Sequence, residues 1–203
     1  MSLRLSTVAL DGAGLSLLAH LPADPLAYIR GGDGLVGWGE AVRLEAHGPN
    51  RIQELSRQWR ELAASAEVDD QVKLPGTGLV AFGSIAFADS SETASALIVP
   101  KILLGLRDGR AWITKVETDS SGQPVDFSGA NEFWSQPSTF ASNAPVTLTS
   151  GAQSADAFKT SVEQAVATIA KGDLEKVVLA RDLVGSLPEA FDIRASLAKL
   201  ANR

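Results

Sequence analysis

The chain has 203 residues, 45% of them hydrophobic and 21% charged, the balance of an ordinary soluble protein long enough to bury one core and part of another. Its net charge of −6 and the lack of any Lys and Arg block leave no basic footprint to displace counterions, so nucleic acid is not an expected partner. No apolar run reaches bilayer length, Met1 to Ser6 does not read as a signal peptide, and with no cysteine there are no disulfides or thiolate metal sites; a cytoplasmic protein without a membrane partner is expected.

Residues 1–120 read mostly as short strands. Leu3 and Leu5 alternate with polar neighbours, the pattern of a half-buried strand. Arg30 to Leu44 reads as a tight glycine turn followed by a strand. Ile52, Leu55, Trp59, Leu62 and Ala66 then fall three or four apart, which predicts a helix packed by that face, with Asn50 as N-cap. Strand character returns from Gly76 to Phe87. Ala96–Arg107 and Ala111–Thr118 flank Asp108-Gly109, a strong hairpin signal. Pro100 has no N–H to donate, so the first strand of that hairpin is expected at an edge or bulged.

Composition shifts between Asp119 and Gly151, where Ser120-Ser121-Gly122, Pro124, Pro137, Asn143 and Pro145 mark a loop or linker. A second helix is predicted with Phe158, Val162, Ala165 and Ile169 on one face, Ser154 as N-cap and Gly172 as its stop. Lys176 to Arg181 reads as a short apolar strand between two charges. A last helix starts near Asp192, with Ile193, Leu197 and Leu200 inward. The organisation expected is a sheet-rich region over 1–150, with a linker from about 119, and the start of a second unit over 151–203.

Few residues suggest chemistry by themselves. The glycines at 31, 32, 34, 37 and 39 precede and interrupt a strand instead of joining a strand to a helix N-terminus, so a structural turn outweighs a phosphate cradle; Gly76-Thr77-Gly78 reads the same way. His20 and His47 lack partners at metal-site spacing. Asp69, Asp70 and Glu40 read as solvated charges. Trp38, Trp59 and Trp112 fit periodic apolar patterns and Trp134 lies in a loop. Lys176 at a strand start is ordinarily a solvated flank, although a lysine desolvated beside an apolar strand can act as a base near neutral pH. Composition leaves those two readings open.

Val162-Glu-Gln-Ala-Val-Ala-Thr-Ile-Ala-Lys-Gly-Asp-Leu-Glu-Lys-Val-Val-Leu-Ala-Arg181 resembles the opening of the chorismate-binding domain of isochorismate synthases. Gly34-Leu-Val-Gly-Trp-Gly-Glu-Ala41 and Gly76-Thr-Gly-Leu-Val-Ala-Phe-Gly-Ser84, with the Pro100 strand and Asp-Gly hairpin after them, resemble the same enzymes in the same order. The resemblance implies an α+β (α/β) fold, a largely antiparallel sheet with packed helices, forming an incomplete part of the chorismate-utilising fold. It implies conversion of chorismate to isochorismate in menaquinone or siderophore biosynthesis.

In that family a lysine is the general base on the attacking water, a glutamate protonates the leaving hydroxyl, and Mg2+ binds a substrate carboxylate. Lys176 matches the base. Relatives that add ammonia carry glutamine there, so the lysine favours a water-adding enzyme; salicylate synthases share it and then eliminate pyruvate. The general acid and the magnesium ligands belong to a C-terminal half that this sequence lacks. The chain alone is therefore expected to be inactive and to self-associate through the region after residue 150, whether it is a fragment or a naturally short product. A non-catalytic module that binds a ligand of this family stays open as an alternative.

Overall fold

The computed structural model describes residues 3–118, 125–127, 145–188 and 191–201. The chain divides into two compact units, one of residues 1–140 with 193–203 and one of residues 141–192.

In the first unit, β1 (Arg4–Leu10), β2 (Leu26–Arg30), β3 (Asp33–Trp38), β5 (Glu67–Asp70), β8 (Ile102–Arg107) and β9 (Arg110–Glu117) form a six-stranded sheet. Their order is β2-β3-β8-β9-β1-β5, and every pairing is antiparallel except β1 with β5. The strands β4 (Val42–Ala46), β6 (Phe82–Ser84) and β7 (Ser95–Val99) make a second, antiparallel sheet ordered β4-β7-β6. The mixed, largely antiparallel architecture expected from the sequence is the one observed.

Two turns follow directly from their residues. Gly31 and Gly32 both take positive φ, 59° and 91°, and close β2 onto β3 with Arg30 opposite Asp33. Asp108 and Gly109 do the same between β8 and β9, at φ 50° and 75°. A two-residue hairpin loop with both φ positive matches the right-handed twist of its strands, which is why Gly-Gly and Asp-Gly sit there.

Pro100 behaves differently from the edge or bulge expected of it. The run from Ala96 to Arg107 is two strands, β7 and β8, in different sheets, and Pro100 lies where the chain passes from one to the other. Its antiparallel partner breaks at the matching place, between β3 and β4, where Gly39 takes φ 63°. The Ala41 N–H donates to Val99 O at 2.8 Å and the Lys101 N–H to Trp38 O at 3.0 Å, so pairing carries past the corner on both sides of the proline. The stretch from Gly76 to Phe87 contributes only the three residues of β6; the rest is loop.

Two clusters fill the interior. Leu17 and Leu21, in and just after the 3-10 turn Leu17–His20, pack with Val36, Trp38, Ile102, Leu104, Ala111 and Ile113. Leu3, Leu5, Val42, Val99 and Val116 pack with Leu62 and Trp59 of helix α1 (Arg51–Ser65). Leu55 and Leu62 are buried as expected, but Ile52 is 55% exposed and the first-turn position turned inward belongs to Arg51. The Arg51 guanidinium donates to Gly48 O, Ala86 O and Phe87 O and pairs with Asp89, which explains how a charge is tolerated there. Asn50 occupies the N-cap position without a side-chain capping bond. In the last helix, α3 (Ile193–Ala201), Ala195 is buried and Leu197 packs on the first cluster, whereas Ile193 and Leu200 stay exposed, so the inward face is narrower than the spacing suggested.

Trp112 is 1% exposed and packs against Gly105, where an added Cβ would stand 2.1 Å from its ring. The indole N–H donates to Gly76 O at 3.2 Å and so ties the loop after β5 to the sheet. Asp70 holds the other end of that loop. One carboxylate oxygen accepts from the Val72 and Lys73 N–H groups, and the other accepts from the Thr77 hydroxyl. Burial pushes the Asp70 carboxyl up, but the hydrogen bonds from Lys73, Thr77 and Val72 outweigh it and leave the group below its ordinary 3.8. A carboxyl lowered in the folded state stabilises the fold above its unfolded value and loses that contribution as pH falls through the folded one. Acidification below about pH 4 should therefore loosen the loop and shift Trp112 emission, and Asp70→Asn should blunt this acid response. An unchanged acid response in the variant would assign it to other carboxyls.

Candidate functional site

Lys176, the residue singled out by resemblance, lies in the second unit. That unit is built from β10 (Leu148–Ser150), helix α2 (Ala155–Ala170) and β11 (Leu183–Gly185), with β10 antiparallel to β11 and Ser150 opposite Leu183.

The helix begins and ends where its sequence says it should. Ser154 has extended φ and ψ, and its hydroxyl accepts from the Ala157 N–H at 3.1 Å, as an N-cap does. At the other end Gly172 adopts φ 82° and its N–H donates to Ile169 O at 3.0 Å, the left-handed stop for which glycine is suited. The predicted face of Phe158, Val162, Ala165 and Ile169 forms, yet no residue of α2 is buried, and Val162 and Ile169 are each 37% exposed.

The predicted strand from Lys176 to Arg181 does not form. Those residues carry no strand assignment, and the ladder begins only at Leu183. A strand is defined by the neighbour that takes its backbone hydrogen bonds, and an apolar run does not supply one. The backbone bends at Asp173 and Glu175 before it runs on to the ladder. Helix α2 is about 24 Å long at ~1.5 Å per residue, and the chain returns from Gly172 to Asp182, beside Ala152, in ten steps that reach about 33 Å at full extension. This return segment is a strap that joins the end of α2 to the residues just ahead of its N-cap. Exposure alternates along it, with Val177 and Leu179 at 39% and Val178 between them at 81%. Lys176 is exposed and has no hydrogen-bond or ion-pair partner among the described residues.

The far end of the strap is fastened by Asp182. The Gly151 N–H donates to Asp182 O at 3.2 Å, and the Ala152 N–H lies 3.1 and 3.2 Å from the two carboxylate oxygens. This contact joins residues thirty positions apart, and neither Gly151 nor Asp182 carries a local signal that would have announced it.

The other residues weighed from sequence serve structure. Nδ1 of the buried His20 lies 2.7 Å from Ser16 O, and His47 is exposed. Glu40 pairs with Arg43 on the surface. Glu54 is held down to about 2, chiefly by its hydrogen bond from Arg57, but this pair is an exposed i,i+3 contact on α1. A groove of about 550 Å3 runs beside Arg4, Ser6, Glu67 and Asp69, and one of about 460 Å3 beside Trp112 and Gly76; neither is lined by Lys176. Among the described residues no three His, Asp or Glu side chains converge as a metal site would require, and no helix is long and apolar enough to cross a membrane. Trp134 lies outside the described residues, as does most of the linker from residue 119.

A family model described as chorismate binding enzyme matches residues 26–203. Neither the curated proteins nor the solved structures yielded a match.

The Ser154 cap fixes where α2 starts and hence where the strap must return to. Ser154→Ala should lower stability of the second unit by about 1 kcal/mol and speed limited proteolysis between residues 150 and 160. Cleavage at the parent rate would mean that the cap is dispensable.

Proposed function

Because the chain belongs to the chorismate-binding enzyme family, we propose that its activity is the conversion of chorismate to isochorismate, with Lys176 as the general base. The observation that carries this is the Lys176-Val-Val-Leu-Ala-Arg181 run, which lies inside the matched region and leaves its lysine exposed.

The chemistry asks for such a group. Water is a weak nucleophile, and a neutral amine at its hydrogen takes one proton as the oxygen bonds to a ring carbon. The ring double bonds shift, the C–O bond to the departing hydroxyl breaks, and that hydroxyl leaves as water after accepting a proton from an acid. Ammonia would need no base, so a lysine at this position supports water as the nucleophile. Arginine would hold its proton throughout the physiological range, and glutamine has no basic nitrogen; lysine can cycle. The described residues do not fit a magnesium cage, since no three His, Asp or Glu side chains converge among them. A cytoplasmic setting and menaquinone or siderophore biosynthesis complete the proposal, and a magnesium ion on a substrate carboxylate would take its ligands from outside the described residues.

In the protein at its full natural length, Lys176→Ala should reduce isochorismate formation by about 10²–10⁴-fold. Its circular dichroism should be unchanged, because the side chain is exposed and carries no packing. Near-normal turnover by the alanine variant would place the base elsewhere.

The apolar side chains left open after residue 150 are proposed to drive self-association. Val166 is 60% exposed, Val178 81% and Val184 53%, and exposed apolar surface beside unpaired backbone favours contact with another copy. Sedimentation of residues 1–203 should become faster as concentration rises, and Val166→Lys with Val178→Lys should reverse the trend. A concentration-independent monomer would overturn it.

A further inference from the structure

The strap that carries Lys176 is attached to the unit at both ends, by anchors that differ in kind. At Gly172 the anchor is the end of α2 itself. At Asp182 it is the contact with Gly151 and Ala152 just before the α2 N-cap. We propose that Asp182, seated against Gly151, is a positioning residue that sets where Lys176 is presented. This rests on Lys176 being the general base.

Three observations carry the proposal. The strap joins its two anchors in ten steps with Lys176 between them, so where its far end is held bears on where Lys176 can lie. The β10–β11 ladder could not hold that end alone. It has only three residue pairs, Leu148, Leu183 and Val184 are about half exposed, and two-stranded ladders without a covered face are marginal in water. The carboxylate adds a charge-assisted bond to the Ala152 N–H where the ladder stops, six residues beyond Lys176.

Gly151 is matched to this arrangement. A Cβ there would lie 1.9 Å from Asp182 Oδ2 and 2.2 Å from Cγ. The glycine does not adopt positive φ, so it is the approach of the carboxylate, and not the backbone conformation, that excludes a side chain. Asp182 therefore folds across its cross-strand neighbour instead of reaching away from it. General-base catalysis is sensitive to small displacements of the base from the attacking water, and a strap free to slide would lower the rate of the chemical step more than the affinity for substrate.

The test is steady-state kinetics of chorismate conversion by the protein at its full natural length, comparing Asp182→Ala, Asp182→Asn, Gly151→Ala, the Gly151→Ala/Asp182→Ala double variant, and Lys176→Ala. Asp182→Ala should lower kcat by about 10–100-fold with KM changed less than about threefold. Asp182→Asn keeps an oxygen that can accept from Ala152 N–H and should recover most of the rate, which a role in charge alone would not allow. Gly151→Ala displaces the carboxylate, so it should match Asp182→Ala, and the double variant should be no worse than either. Unchanged kcat in Asp182→Ala, or an asparagine variant as slow as the alanine one, overturns the positioning role while a dead Lys176→Ala leaves the base in place. Full turnover by Lys176→Ala, or no isochorismate from the parent, removes the base itself and the positioning role with it.

Discussion

The first unit depends on how two strand segments turn a corner together. Residues 33–46 and 95–107 run antiparallel along both sheets, and each breaks in the middle. A proline at position 100 donates no hydrogen bond and would leave a gap in an uninterrupted ladder. The gap falls where the chain changes sheets, and the Ala41 and Lys101 N–H groups carry the pairing past it on either side. Gly37 completes the corner, because a Cβ there would stand 2.9 Å from the Pro100 ring. Two sheets joined in this way are continuous along the chain, so α1 against the smaller sheet and the 3-10 turn against the larger one can each bury a cluster without a separate domain.

The second unit is organised by different means. Its helix has a proper cap and a proper stop but buries no residue, so local signals, and not a core, fix its limits. What gives the unit its shape is a closed circuit: helix, glycine stop, strap, and a carboxylate that returns to the residues just ahead of the helix.

That arrangement suits the chemistry proposed. A lysine needed as a base has to be open to water and substrate and yet held in place, and those demands conflict for a long flexible side chain. An anchored backbone with an unencumbered side chain meets both. The carboxyl of Glu54, held down to about 2, sits in an exposed ion pair on α1 and marks local surface pairing.

By itself the sequence determined what depends on neighbours close along the chain. The hairpins at Gly31-Gly32 and Asp108-Gly109, the body of α1 and both ends of α2 were legible because φ preference, capping and periodicity act over four or five residues. The tertiary structure alone decided matters set by distant partners. It split the Pro100 segment between two sheets, turned Arg51 inward in place of Ile52, and left Lys176–Arg181 without a strand neighbour. It also brought Asp182 to Gly151 across thirty residues. Backbone pairing and side-chain burial depend on which groups meet in space, and an apolar run or a lone aspartate carries no record of the partner it will find.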